Sequence, residues 1–85
     1  MRVSKNSIPN KVAGAIAGII RSGEDVELKT IGAAALNQAV KSAIIAGHFL
    51  ETDGKKIVMC PSFDVTMIDG AERTAIIFKV SGVEK

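Results

Sequence analysis

The 85-residue chain is expected to fold as one α/β (α+β) domain, residues 1–85, a two-layer sandwich in the order β-α-β-α-β-β. Two observations lead there. Two stretches carry apolar residues at the helical period, and the stretches around them alternate as strands do. Each helical stretch is also entered from a strand end through a polar or glycine-marked turn, which makes two crossovers. Two crossovers and a closing hairpin predict a mixed four-stranded sheet with both helices on one face.

The elements follow in order. Arg2-Val3-Ser4 reads as a short opening strand. Ser7 is a candidate cap for a helix with Pro9 in its first turn, where a missing N–H costs nothing. Val12, Ala13, Ile16, Ile19 and Ile20 repeat at the helical period, and Arg21-Ser22-Gly23 ends the helix. Glu24 to Thr30 alternates, with Val26, Leu28 and Thr30 on one face and Glu27 and Lys29 on the other. Gly32 breaks that strand. A second helix runs from about Ala33 to about Phe49, its inner stripe expected at Leu36, Ala39, Val40, Ala43 and Ile44. Glu51 to Lys56, centred on Asp53-Gly54, reads as a turn. Ile57 to Ile68 is β-rich, and Pro61 within it points to a bulge or an edge. Asp69-Gly70 signals a hairpin into a last strand, Arg73 to Val80. The expected core is Val12, Ile16, Ile19, Leu28, Leu36, Val40, Ile44, Ile76 and Phe78.

Composition narrows the function. Eleven Lys/Arg against nine Asp/Glu give a net charge of only +2, so any polyanion binding must come from local charge or be weak. The single Cys60 allows no intrachain disulfide. No leader pattern or membrane-length apolar run is read, so a cytoplasmic protein without membrane partners is expected.

Two turns are the candidate sites. Lys5-Asn6-Ser7, with Asn10 and Lys11, precedes the first helix, whose N-terminus offers free N–H groups and the positive end of its dipole. The stretch Gly32 to Lys41 opens the second helix, with Asn37 and Lys41 one turn apart on one face. Both should lie at one end of the sheet. Lysines and asparagines without a general base or metal ligand suit gripping a polyanion; a plain helix cap with solvated lysines is the alternative. Gly14 and Gly18 leave a ridge best explained by close packing of the first helix. His48 and Cys60 are lone residues without zinc spacing, and Cys60 is expected to be an inert apolar group in its strand. No phosphate-loop motif occurs. No catalytic residue, metal site, cofactor or small-molecule substrate is read from the chain, and an enzyme is not expected.

The stretches Val3-Ser4-Lys5, Pro9 to Gly18, Ile31 to Lys41 and Ile68 to Ile76 resemble the stage V sporulation protein S family. That resemblance implies a role in bacterial sporulation and development, although the family also occurs in bacteria that form no spores. The strand order and the two loop-to-helix segments also resemble, more distantly, the Alba nucleic-acid-binding family. This second resemblance implies an Alba-like homodimer that binds DNA or RNA as a regulator. The first loop would contribute Lys5, Asn6 and Lys11, the second-helix start Asn37 and Lys41, and the hairpin arm Arg73. Alba proteins place arginines near the second-helix start, where this chain has Ala33, Ala34 and Gln38, so weak, salt-sensitive binding is expected. The chain has no Trp or Tyr, and its three Phe read as core, so base stacking is not expected. A protein-interaction module is the alternative.

Overall fold

The computed structural model describes residues 1–85 and is α+β, with two helices on one face of a three-stranded antiparallel sheet. Its elements are α1 (Pro9–Arg21), β1 (Val26–Thr30), α2 (Ala33–Phe49), a 3-10 turn (Glu51–Asp53), β2 (Lys55–Ile68) and β3 (Ala71–Glu84). The strand order is β1-β3-β2. The expected fourth strand is reduced to one parallel bridge, Arg2 to Lys29, held by Val3 N–H to the Lys29 carbonyl (3.0 Å) and Lys29 N–H to the Met1 carbonyl (2.9 Å). The loop at Ser4 to Ser7 turns the chain away before a longer ladder can form.

The second crossover also departs from expectation. β1 and β2 run in the same direction but are not neighbours, because β3 inserts between them and pairs antiparallel with both. The sheet is thus not mixed. A long hairpin explains this: Asp69 (φ 51°) and Gly70 (φ 77°) both adopt positive φ, the conformation of a tight two-residue hairpin turn. β2 and β3 then pair without a break from Ile68–Ala71 to Lys55–Glu84, leaving β2 on the edge. Pro61 therefore sits on an edge strand, where its missing N–H is tolerated.

α1 begins at Pro9 as expected, but Ser7 does not cap it. Ile8 holds the N-cap position, and the Ser7 hydroxyl instead accepts the Ser4 N–H at 2.9 Å. α2 begins behind Gly32 (φ 88°) with no capping side chain. Only 17 of 85 residues are buried, so the core is small. It joins Ala13, Ile16, Ala17 and Ile20 of α1 and Ala39 and Ala46 of α2 to Leu28, Phe78 and Val80 of the sheet. Val12, Ile19, Leu36, Val40 and Ile76 lie against it half-buried. Ile44 is a correction: α2 turns Ala35, Ala39, Ser42, Ala43 and Ala46 inward, leaving Ile44 on the wet side. An alanine-lined face lets the second helix settle close to its neighbours, so the larger residues sit at the margins.

The helical glycines also differ from expectation. A Cβ at Gly14 or Gly18 would meet nothing within 4 Å, so neither provides a close approach. Gly82 in β3 does, because a Cβ there would collide with the Ile20 side chain. Arg21 ties the far ends of the helices together, its Nε donating to Asp53 Oδ2 at 2.7 Å and its Nη2 to the Phe49 carbonyl at 2.8 Å. Gly82→Ala is expected to cost about 1–3 kcal/mol by overpacking against Ile20. Gly14→Ala should stabilise by up to about 1 kcal/mol, through helix propensity alone. Urea melts of the two variants check this pair, and equal midpoints would show that Ile20 has room to turn aside.

Candidate functional site

The distribution of charge defines the site. Residues 1–23 and 30–50, which include both helices and the loops leading into them, contain no Asp or Glu. All nine carboxylates fall at Glu24, Asp25, Glu27, Glu51, Asp53, Asp64, Asp69, Glu72 and Glu84. On the open face of the sheet, Lys29 pairs with Asp64 (3.5 Å) and Lys79 with Asp25 (3.8 Å). Lys5, Lys11 and Lys41 have no carboxylate partner within 4.0 Å. The helical layer thus carries free positive charge that the net figure of +2 conceals.

The loop before α1 is shaped by short bonds. Ser4 N–H donates to Ser7 Oγ, Asn6 N–H donates to Ser4 Oγ at 3.2 Å, and Ser7 N–H donates to the Ser4 carbonyl at 3.1 Å. Gln38 Nε2 donates to the Ser7 carbonyl at 3.0 Å, which fixes the loop against the second turn of α2. Lys5 consequently shares a cleft of about 310 Å³ with Gly32, Ala33, Ala34 and Ala35. Leu36 N–H makes the first bond of α2, to the Gly32 carbonyl (3.1 Å), so the three N–H groups before it have no helical partner. No acidic side chain lies in that first turn to compete for the dipole's positive end. Lys5 and the start of α2 therefore point at the same volume, as the two strand-to-helix turns predicted.

Lys41 occupies a separate groove with Ile8, Pro9, Asn10, Ile44 and Ile45. Asn37, Lys41, Ile44 and His48 form the outward stripe of α2, all exposed. Lys41 is thereby brought beside the start of α1, whereas Asn37 faces outward, opposite the buried Ala35, Ala39 and Ala46. Asn6 is exposed within that loop. Lys11 stands at the same end, but on the side of α1 opposite Ala13, Ile16, Ala17 and Ile20, pointing away from the Lys5 cleft. Arg73 is not brought to this cluster. It pairs with Thr66, in the β2 series of Asp64, on the sheet face opposite the helices.

Phe63 was missed by the sequence reading. It is 80% exposed on the helix-facing side of β2, and it lines a cleft with Gly32, Ala33, Leu36, Thr74 and Ile76. Alternation in β2 assigns Phe63 correctly to the face of Ile57 and Met59; nothing local tells that the helices stop short of it. Cys60 is likewise exposed, on the opposite face of the same strand, so it neither packs inward nor meets His48. A second basic groove of about 480 Å³, at the other end of α2, gathers His48, Lys55, Lys56 and Lys85 over Ile57 and Met59. It contains Glu51 and lies at the negative end of the α2 dipole, both unfavourable to an anion. No group of three ligating side chains could hold a metal ion, and no helix is long and apolar enough to cross a membrane.

The model of the family described as stage V sporulation protein S matches residues 1–83. The chain belongs to that family. It is a small sporulation-related regulatory protein, of a family not known as one of enzymes. The match includes both loop-to-helix turns and all of the β2–β3 hairpin but its last residue, Glu84. Replacing Gln38 with alanine should release the Ser4–Ile8 loop from α2. The expected stability loss is about 0.5–1.5 kcal/mol, the worth of one hydrogen bond. Amide exchange should rise at Ser7 and Asn6, and unchanged exchange there would show that the loop holds its own shape.

Proposed function

We propose that this family member is a nucleic-acid-binding regulator that grips the phosphate backbone at the end of the molecule where both helices begin. The observation that carries this reading is the absence of carboxylates from the helical layer and its leading loops. Lys5 and Lys41 neutralise phosphates, and the free N–H groups of Ala33 to Ala35 donate to a phosphate oxygen. Asn6 and Asn37 hydrogen-bond phosphate or sugar. Lys11 extends the positive field without joining the same cleft, and Arg73, on the far face of the arm, takes no part. Contacts of this kind position a nucleic acid without reading its sequence, so binding is weakly sequence-specific.

The working unit is a homodimer. Val65 (61% exposed) and Met67 (62%) stand on the outer half of the edge strand β2, whose outer backbone groups pair with nothing in the chain. An apolar edge of this kind is covered in stable proteins. Sedimentation equilibrium at micromolar concentration should give twice the mass of the chain; a clean monomer would remove this part of the reading.

Each subunit neutralises two or three phosphates, so the log–log salt slope should be about −2 to −3 per subunit. Replacing Lys5 and Lys41 together with alanine should flatten it by about two units and weaken all sequences alike. Fluorescence anisotropy over a salt series measures both. No retention of DNA or RNA at about 50 mM salt would favour the second reading, a protein-interaction module docking through the apolar arm, which the exposure of Phe63, Val65 and Met67 supports.

A further inference from the structure

The clefts of Lys5 and Phe63 share a wall, Gly32 and Ala33. A free ammonium and an exposed aromatic ring thus flank the start of α2, with the backbone N–H groups of that turn between them. The chain has no Trp or Tyr, so Phe63 is its one aromatic ring placed beside the cationic end. The other two Phe lie elsewhere: Phe78 is buried at 9% exposure, and Phe49 ends α2 at its far end.

We propose that Phe63 is a stacking platform for an unpaired base, and that the nucleic acid this site prefers is single-stranded. This rests on the nucleic-acid reading above and specifies its ligand. Single-strand binding combines a cationic track for the backbone with an aromatic face for the bases. Both are present in adjoining clefts. The Phe63 cleft, about 290 Å³, has an apolar floor of Leu36 and Ile76 and an exposed threonine, Thr74, at its margin. A base lying on the ring keeps its edge toward Thr74, while its phosphate lies toward Lys5 and the N–H groups of Ala33 and Ala34. In a duplex the bases are paired and stacked on each other, so their flat faces cannot reach the ring. A duplex would engage the lysines alone.

Phe63→Ala, Phe63→Leu and Phe63→Trp test this, with a short oligothymidylate, the matching oligouridylate and a duplex of equal length as probes. The parent should bind the single strands more tightly than the duplex. Phe63→Ala and Phe63→Leu should each weaken single-strand binding about tenfold and leave the duplex unchanged, because leucine keeps the apolar bulk but not the flat face. Phe63→Trp supplies a lone tryptophan whose fluorescence should be quenched saturably by the single strands and not by the duplex. Equal losses for single strand and duplex, or none, would overturn the proposal while the nucleic-acid reading stands. Failure of the parent to bind any probe would overturn both. A Phe63→Ala protein that sediments as a monomer where the parent is a dimer would assign the ring to the subunit interface instead and overturn the stacking role.

Discussion

A mismatch of lengths governs this molecule. A strand advances about 3.3 Å per residue and a helix about 1.5 Å. β2 and β3 have 14 residues each, so the hairpin is about 46 Å long, whereas the 17 residues of α2 cover only about 25 Å. Two helices cannot roof that hairpin. β1 supports it only from Val80 to Ile76 of β3. Beyond Ile76 the hairpin, from about Phe63 through the turn to Ala75, projects as a two-stranded arm, and the chain measures 44 × 21 × 17 Å. Phe63, Val65 and Met67 are exposed for this reason alone. Their side chains keep the inward alternation of Ile57 and Met59 after the layer they would bury against has ended.

A second constraint acts through small residues. Ala35, Ala39, Ala43 and Ala46 line the buried face of α2, and Ala13 and Ala17 that of α1. Alanine buries little area, so each contributes less to hydrophobic stabilisation than a leucine would. In exchange the helices sit close together and close to the sheet. That proximity lets Gln38 reach the Ser7 carbonyl and lets Arg21 reach Asp53 and the end of α2. The helix ends are thus tied by polar bonds at both poles, and the cationic loop is held where α2 begins.

Much of this was legible in the sequence. The bounds of α2 and the end of β1 agree with the periodicity, and Asp69-Gly70 marked the hairpin. The misreadings share a cause: local pattern fixes which residues alternate, not how far a neighbouring layer extends. An aliphatic at helical spacing such as Ile44 fits a core, yet the alanine face of α2 wins the contact. An aromatic such as Phe63 reads as core, yet the helices end before it. The opening strand failed for another reason: a three-residue ladder competes with the Ser4–Ser7 turn, which satisfies the same backbone groups locally. The candidate lysines were legible as two turns at one end of a sheet. That Lys11 points away from the cleft, and that Arg73 lies on the other sheet face, needed the helix rotation and the strand register.

Net charge is a poor guide here because its two signs are segregated. The strands, the hairpin turn and the turns leading out of the helices hold every carboxylate, and three of these pair with Arg21, Lys29 and Lys79. What remains unpaired in the helical layer is positive, and it concentrates where the α1 and α2 dipoles add their positive ends. Interactions between exposed charges fade beyond about 8–10 Å at ordinary ionic strength. A ligand at that end therefore responds to Lys5, Lys41 and the helix termini, while the acidic arm tip, at Asp69 and Glu72, is screened from it. The same carboxylates oppose wrapping of a polyanion along the whole arm. In the proposed role, that repulsion would confine the nucleic acid to the base of the arm, where Phe63 stands beside the first turn of α2.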